Sequence, residues 1–183
     1  MTIQDTSLDA AREHLARRPE PQILTADEYK TVFRQHPAGV AVVTLLGPDG
    51  HVGFTATSVI SVSAEPPLIA FSIASGSSSW PALAQATSLV VNFLADDQDD
   101  VSARFATSGI DRFAAGGWTA LPTGEAVLDG ALTWLRGTVV QRTPVGDSYL
   151  VSVLAAQSST RPGAQPLVFH DRTYHRIGDH TAI

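Results

Sequence analysis

The sequence predicts a barrel of many short β-strands with a few helices at its periphery, and three observations carry that expectation. The aliphatic residues are largely Val, Leu, Ile and Ala, punctuated by 14 Gly and 11 Pro, a composition of strands and turns rather than long helices. Short apolar runs recur along the chain, each bounded by Gly, Pro, Asp or Ser. With 183 residues, 44% hydrophobic and 16% charged, the chain suits one globular domain with a real core.

Taken in order, residues 1–24 read as an N-terminal extension and 25–183 as the domain. In the extension, Asp9 to Arg18 has helical composition and Pro19-Glu20-Pro21 breaks it. Thr25 followed by Glu28 is a capping-box pattern, which predicts a helix from Ala26 to about Gln35, ended by Pro37 and Gly39. Gly39 to Leu46 is nearly all apolar, as a strand buried on both faces would be. Gly47-Pro48-Asp49-Gly50 is a hairpin turn, from which His51 to Ser58 returns. Pro67 to Ile73 makes a third strand. Ser77 to Ala86 reads as a short helix with Ser hydroxyls at its start and Pro81 in its first turn.

Ser88 to Leu94 is a fourth strand. A helix is predicted over Asp97–Phe105, where the cluster Asp96-Asp97-Gln98-Asp99-Asp100 meets the positive end of the helix dipole. A loop follows to Gly117. Ala131 to Thr143 and Ser148 to Gln157 form a long pair joined by Pro144-Val145-Gly146-Asp147. Leu167 to His170 and Thr173 to Ile177 close the chain around Asp171-Arg172. There is no internal repeat and no second-domain linker.

Composition also excludes functions. Cys is absent, which removes disulfides, thiolate metal sites and cysteine nucleophiles. The formal net charge is −6 and the Arg and Lys residues are scattered, with no run longer than Arg17-Arg18, which argues against an extended nucleic-acid face. No apolar run approaches the roughly 18 residues of a membrane span. Met1 to Pro21 is polar, without the apolar core of a secretory signal, so a cytoplasmic protein is expected. His14, His36, His51, His170, His175 and His180 form no tight metal motif, and no metal site is expected. Neither a Gly-x-Ser-x-Gly elbow nor a Gly-x-Gly-x-x-Gly fingerprint is present, so nicotinamide binding would not be of the Rossmann type.

The stretch most suggestive of chemistry is Gly53-Phe54-Thr55-Ala56-Thr57-Ser58-Val59-Ile60-Ser61-Val62-Ser63, followed by Pro66-Pro67-Leu68-Ile69. Small residues let a flat ligand lie close to the main chain, hydroxyls and amides bond its polar edge, and apolar neighbours keep water off its face. An ordinary Ser/Thr-rich hairpin has the same composition. Asn92, inside an apolar strand, needs hydrogen-bond partners wherever it lies.

In order, Phe33-Arg34, Ala38-Gly39-Val40-Ala41-Val42-Val43-Thr44, Gly53-Phe54-Thr55-Ala56-Thr57-Ser58 and Ser63-Ala64-Glu65-Pro66-Pro67-Leu68 are followed by Val91-Asn92-Phe93-Leu94, Arg104-Phe105, Pro166-Leu167-Val168-Phe169 and Tyr174-His175-Arg176-Ile177. This ordered set resembles the flavin reductase family, whose fold is the FMN-binding split β-barrel and whose members include the reductase components of two-component flavin-dependent monooxygenases. The resemblance implies a mainly β fold with peripheral helices, a homodimer, and hydride transfer from nicotinamide C4 of NADH or NADPH to N5 of FMN, or of FAD. It also implies a separate monooxygenase that takes the reduced flavin.

On that reading Thr55, Ala56, Thr57 and Ser58 face the flavin ring and ribityl chain, with Ser72 near the same place. Ser77 and Ser78 stand at a helix start suited to the FMN phosphate, with Arg104 as the compensating charge. Asn92 and Gln98 are candidates for the pyrimidine edge or the ribityl hydroxyls. One position departs from the family pattern: where Gly-Asp-His is common, this chain has Gly146-Asp147-Ser148. Ser148 and His175 are therefore the candidate catalytic residues, although Ser148 cannot titrate near neutral pH. Two rival readings remain: a non-enzymatic flavin binder, and an FMN-dependent oxidase of the pyridoxamine-phosphate-oxidase kind, for which no basic substrate-phosphate cluster is seen.

Overall fold

A computed structural model describes residues 23–178; the helix expected within Asp9–Arg18 lies outside the described residues. The chain divides into two units, Met1–Gln35 and His36–Ile183. In the first, helix α1 (Ala26–Arg34) forms where the capping box predicts it. The Thr25 hydroxyl accepts from the Glu28 amide at 3.3 Å, and the Glu28 carboxylate accepts from the Thr25 amide at 2.8 Å.

The second unit carries strands β1 (Ala38–Gly39), β2 (Ala41–Gly47), β3 (Gly50–Ala56), β4 (Ile60–Ala64), β5 (Pro67–Ala74) and β6 (Ser88–Phe93). It continues with β7 (Trp118–Ala120), β8 (Ala126–Leu128), β9 (Thr133–Val145), β10 (Ser148–Thr160), β11 (Leu167–His170) and β12 (Thr173–Arg176). Two helices interrupt them, α2 (Trp80–Gln85) and α3 (Asp99–Ala106). Seven strands form one antiparallel sheet in the order β3-β2-β6-β9-β10-β5-β4; β1-β11-β12 and β7-β8 form two smaller sheets.

The large sheet curls on itself. Although β3 lies at one edge and β5 beside the other, the Phe54 and Phe71 rings are 6.0 Å apart, and Ser58 is hydrogen-bonded to Ser72. The inner face is filled by Ala41, Val43, Leu45, Phe54, Phe71, Ile73, Val91 and Val151. Because side chains alternate along a strand, Val42 points the other way, into a second core with Val40, Leu94, Phe105, Leu128 and Leu167. The central strand β2 is thus buried on both faces from Ala41 to Leu45, as its apolar run predicts.

The expected strand Gly39–Leu46 is split at Val40, whose N–H donates to Leu167 O and whose carbonyl accepts from Leu94 N; here the chain passes from the small sheet to the large one. Strand β4 was not expected, because Ile60–Ala64 is a short edge strand with most of its side chains exposed and so shows little apolar patterning. The β7–β8 hairpin was also unexpected, since its strands have three residues each. Helix α2 begins at Trp80 rather than Ser77, with Ser77–Ser79 forming the turn that leads into it. The acidic cluster does open a helix: Asp99 and Asp100 occupy the first turn of α3.

Candidate functional site

Strand β3 pairs with β2 on one side only. Its two-residue hairpin pairs Gly47 with Gly50, so alternate residues Gly50, Val52, Phe54 and Ala56 direct their amides and carbonyls to β2. Gly53 and Thr55 then direct theirs outward, and Thr57 follows in the bend just past the strand. The Gly53 carbonyl confirms the parity, since it accepts from Arg112 Nη1 at 2.6 Å. Among the described residues the outward amide and carbonyl of Thr55 have no main-chain partner, and a free strand edge is a ready row of donors and acceptors.

The side chains around this edge are fixed. Thr55 Oγ1 donates to the Ser102 carbonyl of α3 at 2.7 Å. Ala56 is buried against the inner core and Thr57 is exposed. Ser58 Oγ accepts from Ser72 N at 3.0 Å and donates to Ser72 O at 3.2 Å, which ties the end of the hydroxyl-rich segment to β5. Gly53 is required by proximity: a Cβ there would lie 2.7 Å from Phe105 Cε1.

Beside the edge lies a recess of about 210 Å³ lined by residues that include His51, Gly53, Ser78, Ser79, Asp111 and Arg112; the Asp111 carboxylate accepts from the Phe113 amide at 2.9 Å. Arg112 was not singled out from the sequence. Its Nε donates to Thr107 O at 2.9 Å and its Nη1 to Gly53 O and, at 3.2 Å, to Ser79 Oγ. Among the described residues no carboxylate pairs with it. Burial pushes its pKa below the ordinary value, yet a guanidinium stays charged in any physiological range. The guanidinium is held by neutral oxygens and Ser78 shares its recess, which suits an anion on the Arg112 side; Asp111, also in the lining, is not paired with Arg112. The recess lies beside the open edge of β3, so a ligand with its anionic end in the recess would lay its ring along that edge. Ser77 Oγ accepts from Ser79 N at 3.3 Å.

The turn between β9 and β10 docks on the same segment. Ser75 donates to Asp147 O from both its amide, at 2.9 Å, and its hydroxyl, at 2.8 Å. Ser148 Oγ donates to Asp147 Oδ1 at 3.0 Å, and Trp80 stacks on Tyr149 with ring centres 3.7 Å apart. The structure therefore brings Thr55, Ala56, Thr57, Ser58, Ser72, Ser77, Ser78 and Ser148 into one connected region along β3, the end of β5 and the approach to α2.

Other candidates lie elsewhere or are already committed. Asn92 is fully buried; its Nδ2 donates to Val42 O and Thr44 Oγ1, both at 3.1 Å, and its Oδ1 accepts from Leu128 N at 2.9 Å. Gln98 Oε1 accepts from Ala95 N at 3.0 Å and its Nε2 donates to Asp129 O at 2.9 Å. Arg104 does not line the recess with Ser78; its guanidinium carbon lies 5.4 Å from the Phe105 ring centre, and its buried Nε has no hydrogen-bond partner among the described residues. His175 is exposed on β12, its ring 5.7 Å from that of His170. A larger recess of about 420 Å³, lined by residues that include Thr119, Asp129, Trp134 and Arg161, contains none of the predicted site residues.

The strongest charge perturbation lies away from this region. Burial raises the pKa of Glu125, but hydrogen bonds from Arg136, Ser88 and Thr123 outweigh it and hold the carboxyl at about 2. Arg136 Nη2 is 3.0 Å from Glu125 Oε1. This pair joins the β8 end to β6 and β9 and is structural.

Comparison with known proteins agrees with this geometry. Residues 33–178 match the model of the flavin reductase like domain. A protein named NADH:FMN oxidoreductase from Rhodococcus erythropolis is 47% identical over 158 residues, covering 84% of this chain and 82% of its own. The reductase subunit HsaB of a flavin-dependent monooxygenase from Mycobacterium tuberculosis is 32% identical, covering 85% of this chain and 81% of its own. Among solved structures, a flavin reductase domain protein from Arthrobacter superimposes with a TM-score of 0.80 at 34% identity, covering 84% of this chain and 96% of that one. The free edge of β3, the serine-lined segment beside it and the match over residues 33–178 lead to one conclusion: this chain belongs to the flavin reductase family.

Proposed function

We propose that this protein is an NAD(P)H:flavin oxidoreductase that reduces FMN, with FAD as the alternative, and supplies reduced flavin to a partner monooxygenase. The observation that carries the site assignment is the unpaired outward main chain at Thr55, next to a recess where Arg112 lacks a carboxylate partner. A bound flavin supplies the two-electron acceptor that no side chain of this protein offers. The chain's contribution is placement. The outward amide and carbonyl of Thr55 would bond the polar edge of the ring, with the exposed Thr57 next along the chain, and the closure of Ser58 on Ser72 holds that segment. Arg112 and Ser78 meet the phosphate, a role the sequence reading gave to Arg104 with Ser77 and Ser78. Asn92 and Gln98 support the site through the main chain they hold.

Ser148 and Asp147 sit at the turn where the family carries Gly-Asp-His, so no titrating imidazole stands at that position. Hydride transfer depends on alignment of two rings, and a hydroxyl there is compatible with it. The same substitution favours the second reading, a flavin-binding protein without turnover. His175, exposed on β12, keeps its assignment as the other catalytic candidate. Residues 25–183 are assigned as the catalytic domain and 1–24 as an extension.

A homodimer fits the outer face of β4, β5 and β10, where Ile60, Leu150 and Leu154 are exposed on the same side of the sheet. No helix among the described residues is long and apolar enough to cross a membrane, and a cytoplasmic location, where reduced nicotinamide nucleotides are present, fits the reaction. The test is NADH and NADPH oxidation at 340 nm with FMN, FAD or riboflavin added in turn. Flavin-dependent turnover supports the reductase; retention of FMN without turnover gives the binder reading the lead.

A further inference from the structure

We propose that Tyr174 is a positioning residue for the flavin edge, acting through Ser102 and Thr55; this rests on the flavin reductase reading above. Tyr174 comes from β12 in the small sheet, whereas Thr55 lies on β3 of the large sheet. The Tyr174 hydroxyl donates to Ser102 Oγ at 2.9 Å, and Ser102 is fully buried in α3. The carbonyl of the same serine accepts from Thr55 Oγ1 at 2.7 Å.

Among the described residues the outer side of β3 is tied at two points, by Arg112 on the Gly53 carbonyl and by Ser102 on the Thr55 hydroxyl, and the second is the one at Thr55 itself. The strand has a neighbour on one side only, and among the described residues the outward amide and carbonyl of Thr55 are unpaired. The outward groups of Thr55 are steadied on that side by α3, through the Thr55 side chain, and α3 is braced at Ser102 by Tyr174. The Tyr174 ring contributes separately, packed with Phe169 at 5.2 Å between ring centres, so removal of the hydroxyl alone leaves the packing in place. A strand edge that binds through main-chain groups loses affinity when those groups gain freedom, with no change in the groups themselves.

The experiment titrates FMN and riboflavin into the full-length protein by quenching of flavin fluorescence, with thermal unfolding recorded in parallel. Tyr174→Phe is expected to raise both dissociation constants by about fivefold, the size of one lost neutral hydrogen bond. Both ligands lose equally because the ring edge, not the phosphate, is affected. Thr55→Val is expected to match that loss and Thr55→Ser to keep wild-type affinity. The double variant Tyr174→Phe with Thr55→Val is expected to bind no worse than either single one, since the two residues act in series. Unchanged affinity in Tyr174→Phe, or fully additive losses in the double variant, overturns the proposal while leaving the flavin reading intact. A wild-type protein that binds neither ligand overturns both. A fall in unfolding temperature without a change in affinity assigns Tyr174 a purely structural role and overturns the positioning claim.

Discussion

Arg112 shows how much one residue can decide. It bonds three neutral oxygens, on Gly53, Thr107 and Ser79, and no carboxylate among the described residues. Its charge is therefore available to an anion that docks beside Ser78, with Asp111 as the one carboxylate among the described residues that line that recess. Arg112→Ala is expected to weaken FMN by about 10- to 100-fold, the range of a lost charge-assisted hydrogen bond, and riboflavin by far less. Arg112→Lys keeps the charge and separates that effect from any loss of support to Gly53. Equal losses for FMN and riboflavin would remove Arg112 from the phosphate site. A second residue-scale prediction concerns the β11–β12 turn, where Asp171 and Arg172 have φ of 43° and 64°. Left-handed backbone costs a non-Gly residue about 1 kcal/mol, so Arg172→Gly is expected to raise stability by about that amount in urea unfolding.

Among elements, α3 and β3 act as a pair. Phe105 of α3 lies where a side chain on Gly53 would go, at 2.7 Å from its Cβ position. Gly53→Ala is expected to cost about 1–3 kcal/mol by overpacking and to displace the edge that Arg112 and Thr55 hold, which unfolding and flavin titration together would reveal. The Glu125–Arg136 pair links β8 to β6 and β9 in a similar way. Its sign with pH is fixed by the depressed carboxyl: the contribution is complete above the unfolded value near 4.5 and is lost as pH falls toward about 2. Glu125→Gln is expected to cost about 3 kcal/mol at pH 7, and the gap to wild type should narrow as unfolding is measured from pH 4.5 down to pH 2. A gap that stays constant with pH would show that the charge of Glu125 does not carry its contribution.

For the whole molecule, two cores on opposite faces of one curled sheet place the site. The inner core brings β3 against β5, so residues far apart in the sheet order meet at Phe54–Phe71 and Ser58–Ser72. The outer core carries α3 and the small sheet, which supply Ser102 and Tyr174 behind Thr55. The turnover assay at 340 nm tests the molecule at this scale, because hydride transfer needs every part of the arrangement at once.

By itself the sequence determined the elements whose signals are local. The Thr25/Glu28 box, the doubly buried run from Ala41 to Leu45, the Pro48-Asp49 turn and the acidic start of α3 were all legible, because capping, periodicity and turn preference act within a few residues. It also marked the hydroxyl-rich segment from Thr55 to Ser58, since small polar residues between apolar runs stand out in one dimension. Only the tertiary structure decided which basic residue stands by Ser78. Arg112 is 59 residues along the chain from Gly53, and a lone arginine in a loop reads the same in sequence whether it faces solvent or lines a recess. Nor could the sequence tell that Asn92 is satisfied by β2 and β8, or that Tyr174 reaches Thr55 through α3. Those contacts arise when a sheet curls and a helix packs over it, and the side chains that meet then carry no trace of one another in the order of the chain.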